Sequence, residues 1–193
     1  MKRTSKDLDD DFSFADFLET FTHIVLYERD VYDRSVFRKE LLFGSIIPIC
    51  QVEQVKDYIT SYTTMIKQHL LNRKSGISYR ISLKCHDQII ERFVIHLFKK
   101  PISTSIRKST PKSDFFAKLF ESVRQIDAKP VDDCCDKSSR TFSIECRFEE
   151  NFEKTGLKLK INPQDSITDF KIIPITSMNN TNEEIECYIE SRD

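Results

Sequence analysis

Glycine is scarce in this chain: three residues of 193, Gly44, Gly76 and Gly156, each isolated from the others. Phosphate cradles need several closely spaced glycines so that backbone N–H groups can approach the phosphates, and neither GxGxxG nor GxxxxGKS/T can be written here. Nucleotide-binding enzymes of those classes are excluded. Charge of one sign is also missing, with 30 Lys plus Arg against 31 Asp plus Glu and a net charge of -1. A general nucleic-acid or anionic-membrane binder gains from a cationic excess that this chain does not have. No apolar run approaches the ~20 residues of a membrane span, and the N-terminal MKRTSKDLDDD leads into charge rather than a signal-peptide core. A soluble, non-secreted chain is expected.

Paired chemistry is lacking too. The six cysteines (Cys50, Cys85, Cys134, Cys135, Cys146 and Cys187) contain no CxxC, so they read as reduced thiols rather than as a zinc site or a disulfide scaffold. Four histidines, His23, His69, His86 and His96, are scattered, and no nucleophile motif accompanies them. No catalysis, metal or cofactor is expected.

What is present is a 39% hydrophobic composition, enough for one core over this length. In FSFADFLETFTHIVLYERDVY, Phe14, Phe17, Leu18, Phe21, Ile24, Val25 and Tyr32 recur at helical spacing, which predicts a buried helix over about 12–31 with Asp11 or Ser13 as N-cap. SVFRKELLFGSIIPI reads as irregular, because Gly44 and Pro48 forbid one continuous element. A second long helix is expected where Val52, Val55, Ile59, Tyr62, Ile66 and Leu70 repeat on one face before Gly76. The period then becomes two: ISYRISLKC and IIERFVIHLF, joined by HDQ, predict an antiparallel hairpin with one buried face. Residues 99–113 read as a connection. SDFFAKLFESVRQI predicts a third helix capped by Ser113 or Asp114, TFSIECRF another strand, and FKIIPITS and EEIECYIES two short strands joined by MNNTN. Segregated helices and hairpin strands give an α+β class, helices packed on an antiparallel sheet. The 150–170 stretch is a candidate moving part.

Several of these segments resemble the HORMA-domain proteins. HIVLYERDVYDRSVF looks like the end of their first helix, whose Leu-Tyr-x-Arg-x-x-Tyr signature is carried by Leu26, Tyr27, Arg29 and Tyr32. VKDYITSYTTMIKQHLL is similar to their central helix, IIERFVIHLF to a hairpin strand and TFSIECRF to the strand after it. The tail IIPITSMNNTNEEIECYIESRD is most similar to the branch formed by the accessory, non-catalytic subunits of DNA polymerase zeta, through its Ile-Pro, the Met four residues later, and Tyr188, Glu190 and Arg192. The resemblance implies a HORMA-like fold in which residues 1–11 are a polar tail, 12–193 a single domain and 151–193 a C-terminal safety belt. In that family the belt wraps across a partner peptide, which adds as a strand to the sheet, and then docks its own last strands on the far side.

The implied function is that of a non-enzymatic adaptor in translesion synthesis and the DNA damage response. Its partners would be a peptide of the polymerase zeta catalytic subunit, the C-terminal domain of the scaffold translesion polymerase, and another HORMA chain in a homodimer or heterodimer. No cofactor, metal, sequence-specific nucleic acid or membrane is implied, and the compartment is the nucleus with the cytoplasm as a further one. A spindle-checkpoint clasp shares every fold-level feature and stands as the alternative. By resemblance, Tyr58, Phe142, Ile144 and Cys146 would bind the partner peptide, although a core role for Tyr58 beside Val55, Ile59 and Tyr62 stays open. Ile172, Glu186 and Tyr188 match the scaffold-polymerase surface, with Glu186 in place of a Gln, and an exposed strand triad is equally ordinary sheet surface. Lys39 matches a basic residue of family dimerisation, whereas Glu121 stands where a dimer arginine falls. Glu28 and Arg29 read as structural ion-pairing residues.

Overall fold

Helix α1 spans Phe14–Glu28 and is apolar on most of its circumference, so Phe17, Leu18, Phe21, Ile24, Val25 and Leu26 are all fully buried. A helix of that kind belongs inside the molecule. It stops three residues earlier than its apolar spacing predicts. Val31 N–H bonds to Leu26 O and Asp30 N–H to Tyr27 O, with Asp30 at φ 46, a Schellman end with an aspartate in the left-handed position. Tyr32 therefore leaves the helix and meets Phe142 edge-on at 6.2 Å.

The structure is a computed structural model that describes residues 14–72, 76–99, 112–126, 139–149, 170–179 and 183–192. The polar tail, the N-cap candidates Asp11 and Ser13, most of the connection read at 99–113, and residues 151–169 of the expected belt lie outside the described residues.

After a short 3₁₀ turn, the stretch read as irregular is instead a hairpin: β1 (Phe37–Leu42) pairs with β2 (Ser45–Cys50). Gly44 and Pro48 punctuate it without breaking it. Phe43 (φ 50) and Gly44 (φ 70) form a two-residue turn of the primed kind that suits strand twist. Counting from that turn, Pro48 opposite Lys39 is a non-hydrogen-bonded position, where a missing N–H costs no ladder bond. Helix α2 follows over Glu53–Asn72.

The main sheet has five strands in the order β5-β3-β4-β7-β6. Here β3 is Gly76–Cys85, β4 Gln88–Lys99, β5 Arg140–Glu149, β6 Phe170–Asn179 and β7 Glu183–Arg192. The expected β3–β4 hairpin turns at His86 and Asp87, both at positive φ. Helix α3, Lys112–Gln125, begins one residue before the first of its expected caps, so Ser113 and Asp114 fall inside its first turn. All three helices lie on one side of the sheet, with α1 central, α2 against β5 and α3 against β6. Phe17 stacks on Phe116 at 4.1 Å, and Thr22 Oγ1 meets the Tyr79 hydroxyl at 2.8 Å.

Beneath this core, Arg29 grips Glu91 through Nε at 2.7 Å and Nη2 at 3.4 Å, with its guanidinium 5.1 Å from the Phe93 ring centre. Glu28 faces Arg124 at 3.5 Å. Both residues thus have the structural ion pairs expected of them. The sheet departs from one-sided burial: Ser78 and Ser82 on the other face are 2% and 5% exposed. Long side chains lie across that face, as Arg92 does in reaching Ser82 Oγ at 3.1 Å and Glu190 at 2.7 Å. Cys85 departs from the reduced-thiol reading, being disulfide-bonded. Cys50, Cys146 and Cys187 are free.

Candidate functional site

Strand β5 is an edge strand, paired with β3 on one side and with no strand on the other among the described residues. Its ten pairs with β3 run in unbroken antiparallel register from Gly76↔Glu149 to Cys85↔Arg140. Ile144 N–H donates to the Tyr58 hydroxyl at 3.1 Å, so it points away from β3. Backbone direction repeats every two residues, and Phe142, Cys146 and Phe148 therefore also present N–H and C=O to the free edge. Their side chains lie on the helix-facing side with Ile144, opposite Leu83, Tyr79 and Ile77.

Helix α2 supplies the other wall. Residues 58, 62 and 69 fall within one helix face at spacings of four and seven, and each is half-buried. Tyr58 meets Phe142 edge-on at 5.5 Å and Tyr62 at 5.3 Å, and His69 lies 3.9 Å from Phe148 between ring centres. Tyr32 closes the row at Phe142. The result is an aromatic groove running along an open strand edge. Burial and the neighbouring Glu145 carboxylate push the Cys146 thiol up to about 12, so it stays a neutral apolar contact rather than a nucleophile. The structure thus brings Tyr58, Phe142, Ile144 and Cys146 together. Tyr32, Tyr62, His69 and Phe148 belong to the same row. The spacing of Tyr62 had marked it as core, and nothing in sequence links the others to β5.

Ile172, Glu186 and Tyr188 also come together, on the sheet face away from the helices at the β6–β7 end, where Tyr188 sits opposite Pro174, Glu186 opposite Ser177 and Ile172 opposite Glu190. They are not equally exposed. Ile172 is open at 37%, but Tyr188 is 9% exposed, correcting the picture of an exposed triad. Its hydroxyl lies 3.1 Å from His96 Nε2, a residue the sequence reading passed over. Burial, with Arg80 adding to it, lowers the His96 pKa to about 4, so the ring is neutral in the folded chain. Lys39 is exposed on β1. Glu121, exposed on α3, accepts from Gln125 and lies beside Arg124. Among the described residues no group of acidic, His and Cys side chains is placed to hold a metal ion, and no helix is long and apolar enough to cross a membrane.

No family model matches the chain. Its sequence is 32% identical over 84 residues to "Mitotic spindle assembly checkpoint protein MAD2B" of Dictyostelium discoideum, a match covering 43% of this chain and about a quarter, 25%, of that relative. Solved structures extend the likeness to the whole fold. A chain of the Mitotic Checkpoint Complex superposes with a TM-score of 0.66 at 14% identity, covering 93% of this chain and 96% of that one. C. elegans HTP-2 bound to the HIM-3 closure motif gives 0.60 at 11%, covering 92% and 87%. C. elegans HTP-1 bound to HTP-3 motif-1 gives 0.63 at 9%, covering 96% and 90%. Three helices with an antiparallel sheet are thus shared architecture: the chain has the HORMA-domain fold.

Proposed function

We propose that this chain is a non-enzymatic adaptor that captures a linear peptide as an added strand on β5, with Tyr58, Phe142, Ile144 and Cys146 forming the contact. The observation that carries the reading is the contrast in strand edges. β5 offers ten residues in regular register with no proline and no bulge, whereas β6 is interrupted by Pro174 and a register shift before Thr176. A long regular edge is a template for another chain, and prolines and bulges are devices that blunt one. Backbone bonds along β5 would give affinity, and the groove would select side chains. The HIM-3 closure motif bound by HTP-2 and the HTP-3 motif-1 bound by HTP-1 support a peptide-capture reading.

In its finer form, the captured peptide belongs to the catalytic subunit of DNA polymerase zeta. Ile172, Glu186 and Tyr188 then dock the C-terminal domain of the scaffold translesion polymerase, in the nucleus. The tail resemblance supports this form. The name of the Dictyostelium relative favours a second form, a spindle-checkpoint clasp. Fluorescent peptides tiling the polymerase zeta catalytic subunit and the checkpoint partners of the same organism separate the two. The polymerase reading expects a single tight binder from the former set, and a tight binder only from the latter set would replace it.

A further inference from the structure

The N–H groups of Phe142, Ile144, Cys146 and Phe148 face the open β5 edge, and the rung at Ile144 is already filled. Its N–H donates to the Tyr58 hydroxyl at 3.1 Å, and among the described residues it is the only one of the four that a side chain holds. An amide has one hydrogen to give, and in a ladder it meets a carbonyl oxygen at about 2.9 Å. The Tyr58 oxygen therefore stands where the carbonyl oxygen of an added strand would stand, and the phenol carbon behind it takes the place of the carbonyl carbon. Rungs on one edge repeat every two residues, about 6.8 Å, and the added backbone runs unbroken between them. A regular strand on β5 thus cannot form past Ile144 while the phenol is there. The ring is placed to move: Tyr58 is half-buried, and its ring meets Phe142 and Tyr62 only edge-on, at 5.5 and 5.3 Å. A long helical side chain has two permitted rotamers about its first bond, and a change between them carries the hydroxyl off the edge.

We propose that the Tyr58 hydroxyl is a removable occupant of the Ile144 rung: capture of a peptide exchanges it for a backbone carbonyl of the ligand, and the ring turns out of the edge to pack over the added strand. This rests on the peptide-capture reading and deepens it by naming how the site is guarded. Ile144 is 5% exposed, so its N–H would be costly to leave unpaired, and the phenol satisfies it until a ligand arrives. An occupied central rung also protects a long regular edge from indiscriminate strand pairing. Ring and hydroxyl of one residue then act in opposite senses, the ring favouring the bound peptide and the hydroxyl competing with it.

The test uses the full chain and the tightest fluorescent peptide from the two tiled sets, with Tyr58→Phe, which keeps the ring, and thermal melts to verify folding. One hydrogen bond typically contributes ~1 kcal/mol, roughly fivefold in affinity. Tyr58→Phe should therefore tighten binding about fivefold, the opposite direction from loss of the whole ring in Tyr58→Ala. Without peptide, amide exchange at Ile144 should be slow in the wild type and fast in Tyr58→Phe. With peptide it should be slow in both, because the ligand carbonyl has taken the rung. The wild type alone supplies a readout that no variant's folding can disturb: the nuclear Overhauser contact between the Tyr58 ring protons and the Ile144 amide should disappear when the peptide binds. Weaker or unchanged binding by folded Tyr58→Phe, an Ile144 amide that stays fast in its complex, or a ring contact that persists in the wild-type complex would each overturn the exchange. If Phe142, Cys146 and Phe148 become protected while any of these occurs, the exchange alone fails. If no tiled peptide binds, the capture reading fails and takes the exchange with it.

Discussion

The two ends of the five-stranded sheet are built differently from similar parts. Each edge strand has a helix beside it, α2 at β5 and α3 at β6. At β6 the helix is faced with Phe115, Phe116, Leu119 and Phe120, all buried, and Met178 of the strand is buried with them. At β5 the helix presents half-buried Tyr58 and Tyr62, and the Tyr58 hydroxyl reaches the strand edge at Ile144 N–H instead of sealing it. The β6 edge is also interrupted by Pro174 and a bulge, while β5 is continuous. One end is closed by its own chain, and the other is furnished with donors, acceptors and rings that a second chain can use.

Removing the closed end should have the largest effect. Deleting residues 151–193 strips β4 of its β7 partner and takes buried Met178, Ile185, Cys187 and Ile189 out of the core. At ~2 kcal/mol per buried side chain, that loss is comparable with a small domain's whole stability. The truncated chain should aggregate on size-exclusion chromatography and hold no peptide. A soluble form with the parent's melting temperature and peptide off-rate would show that β6 and β7 are dispensable.

Acid should act on the closed end through His96, and on the β1–β2 hairpin through His23, whose Nδ1 accepts Cys50 N–H at 3.4 Å. Both rings are held down to a pKa of about 4, mainly by burial. Below the unfolded value near 6.5 the unfolded chain takes up protons that the folded chain refuses, so stability falls as pH drops from about 6.5 toward 4. The full loss is about 3 kcal/mol per histidine by the same relation. Urea midpoints measured from pH 7 to 4.5 should decline, and His96→Gln, which keeps a hydrogen-bonding group without titrating, should flatten part of that decline. An unchanged slope in the variant would remove His96 from the account.

A smaller effect separates the two ends directly. Tyr58→Ala removes a ring between Phe142 and Tyr62 and should weaken the peptide by ~2 kcal/mol, about thirtyfold. Tyr188→Ala takes the hydroxyl from His96 at the other end and should leave peptide affinity within about twofold while lowering the melting temperature. If Tyr188→Ala alone released the peptide, the closed end would be part of the clasp and the comparison would fail.

The parts of this arrangement legible in sequence are those set by periodicity. Alternation in 77–84 and 141–148 gave β3 and β5, and the apolar spacing of 52–70 gave α2. The β1–β2 hairpin was hidden because Gly44 and Pro48 look like breaks until their positions relative to a turn are known. The end of α1 was misplaced because a Schellman end closed by Asp30 lacks the usual glycine. Tyr58 and the strand residues of the site came from family resemblance alone. Their grouping with Tyr32, Tyr62, His69 and Phe148 depends on α2 lying along β5, a tertiary fact that no local pattern encodes. The burial of Tyr188 was equally out of reach, since alternation assigns it to the face without the helices and says nothing of the His96 and arginine side chains there.

Strand addition at β5 is tested most directly by residue-resolved amide hydrogen exchange with and without the bound peptide. Phe142, Cys146 and Phe148, whose N–H groups face the open edge, should become strongly protected on binding. Ser143, Glu145 and Arg147, whose N–H groups already point toward β3, should change little. That period of two is the signature of an added strand. Uniform protection along 142–148, or protection confined to β6 and β7, would contradict the account.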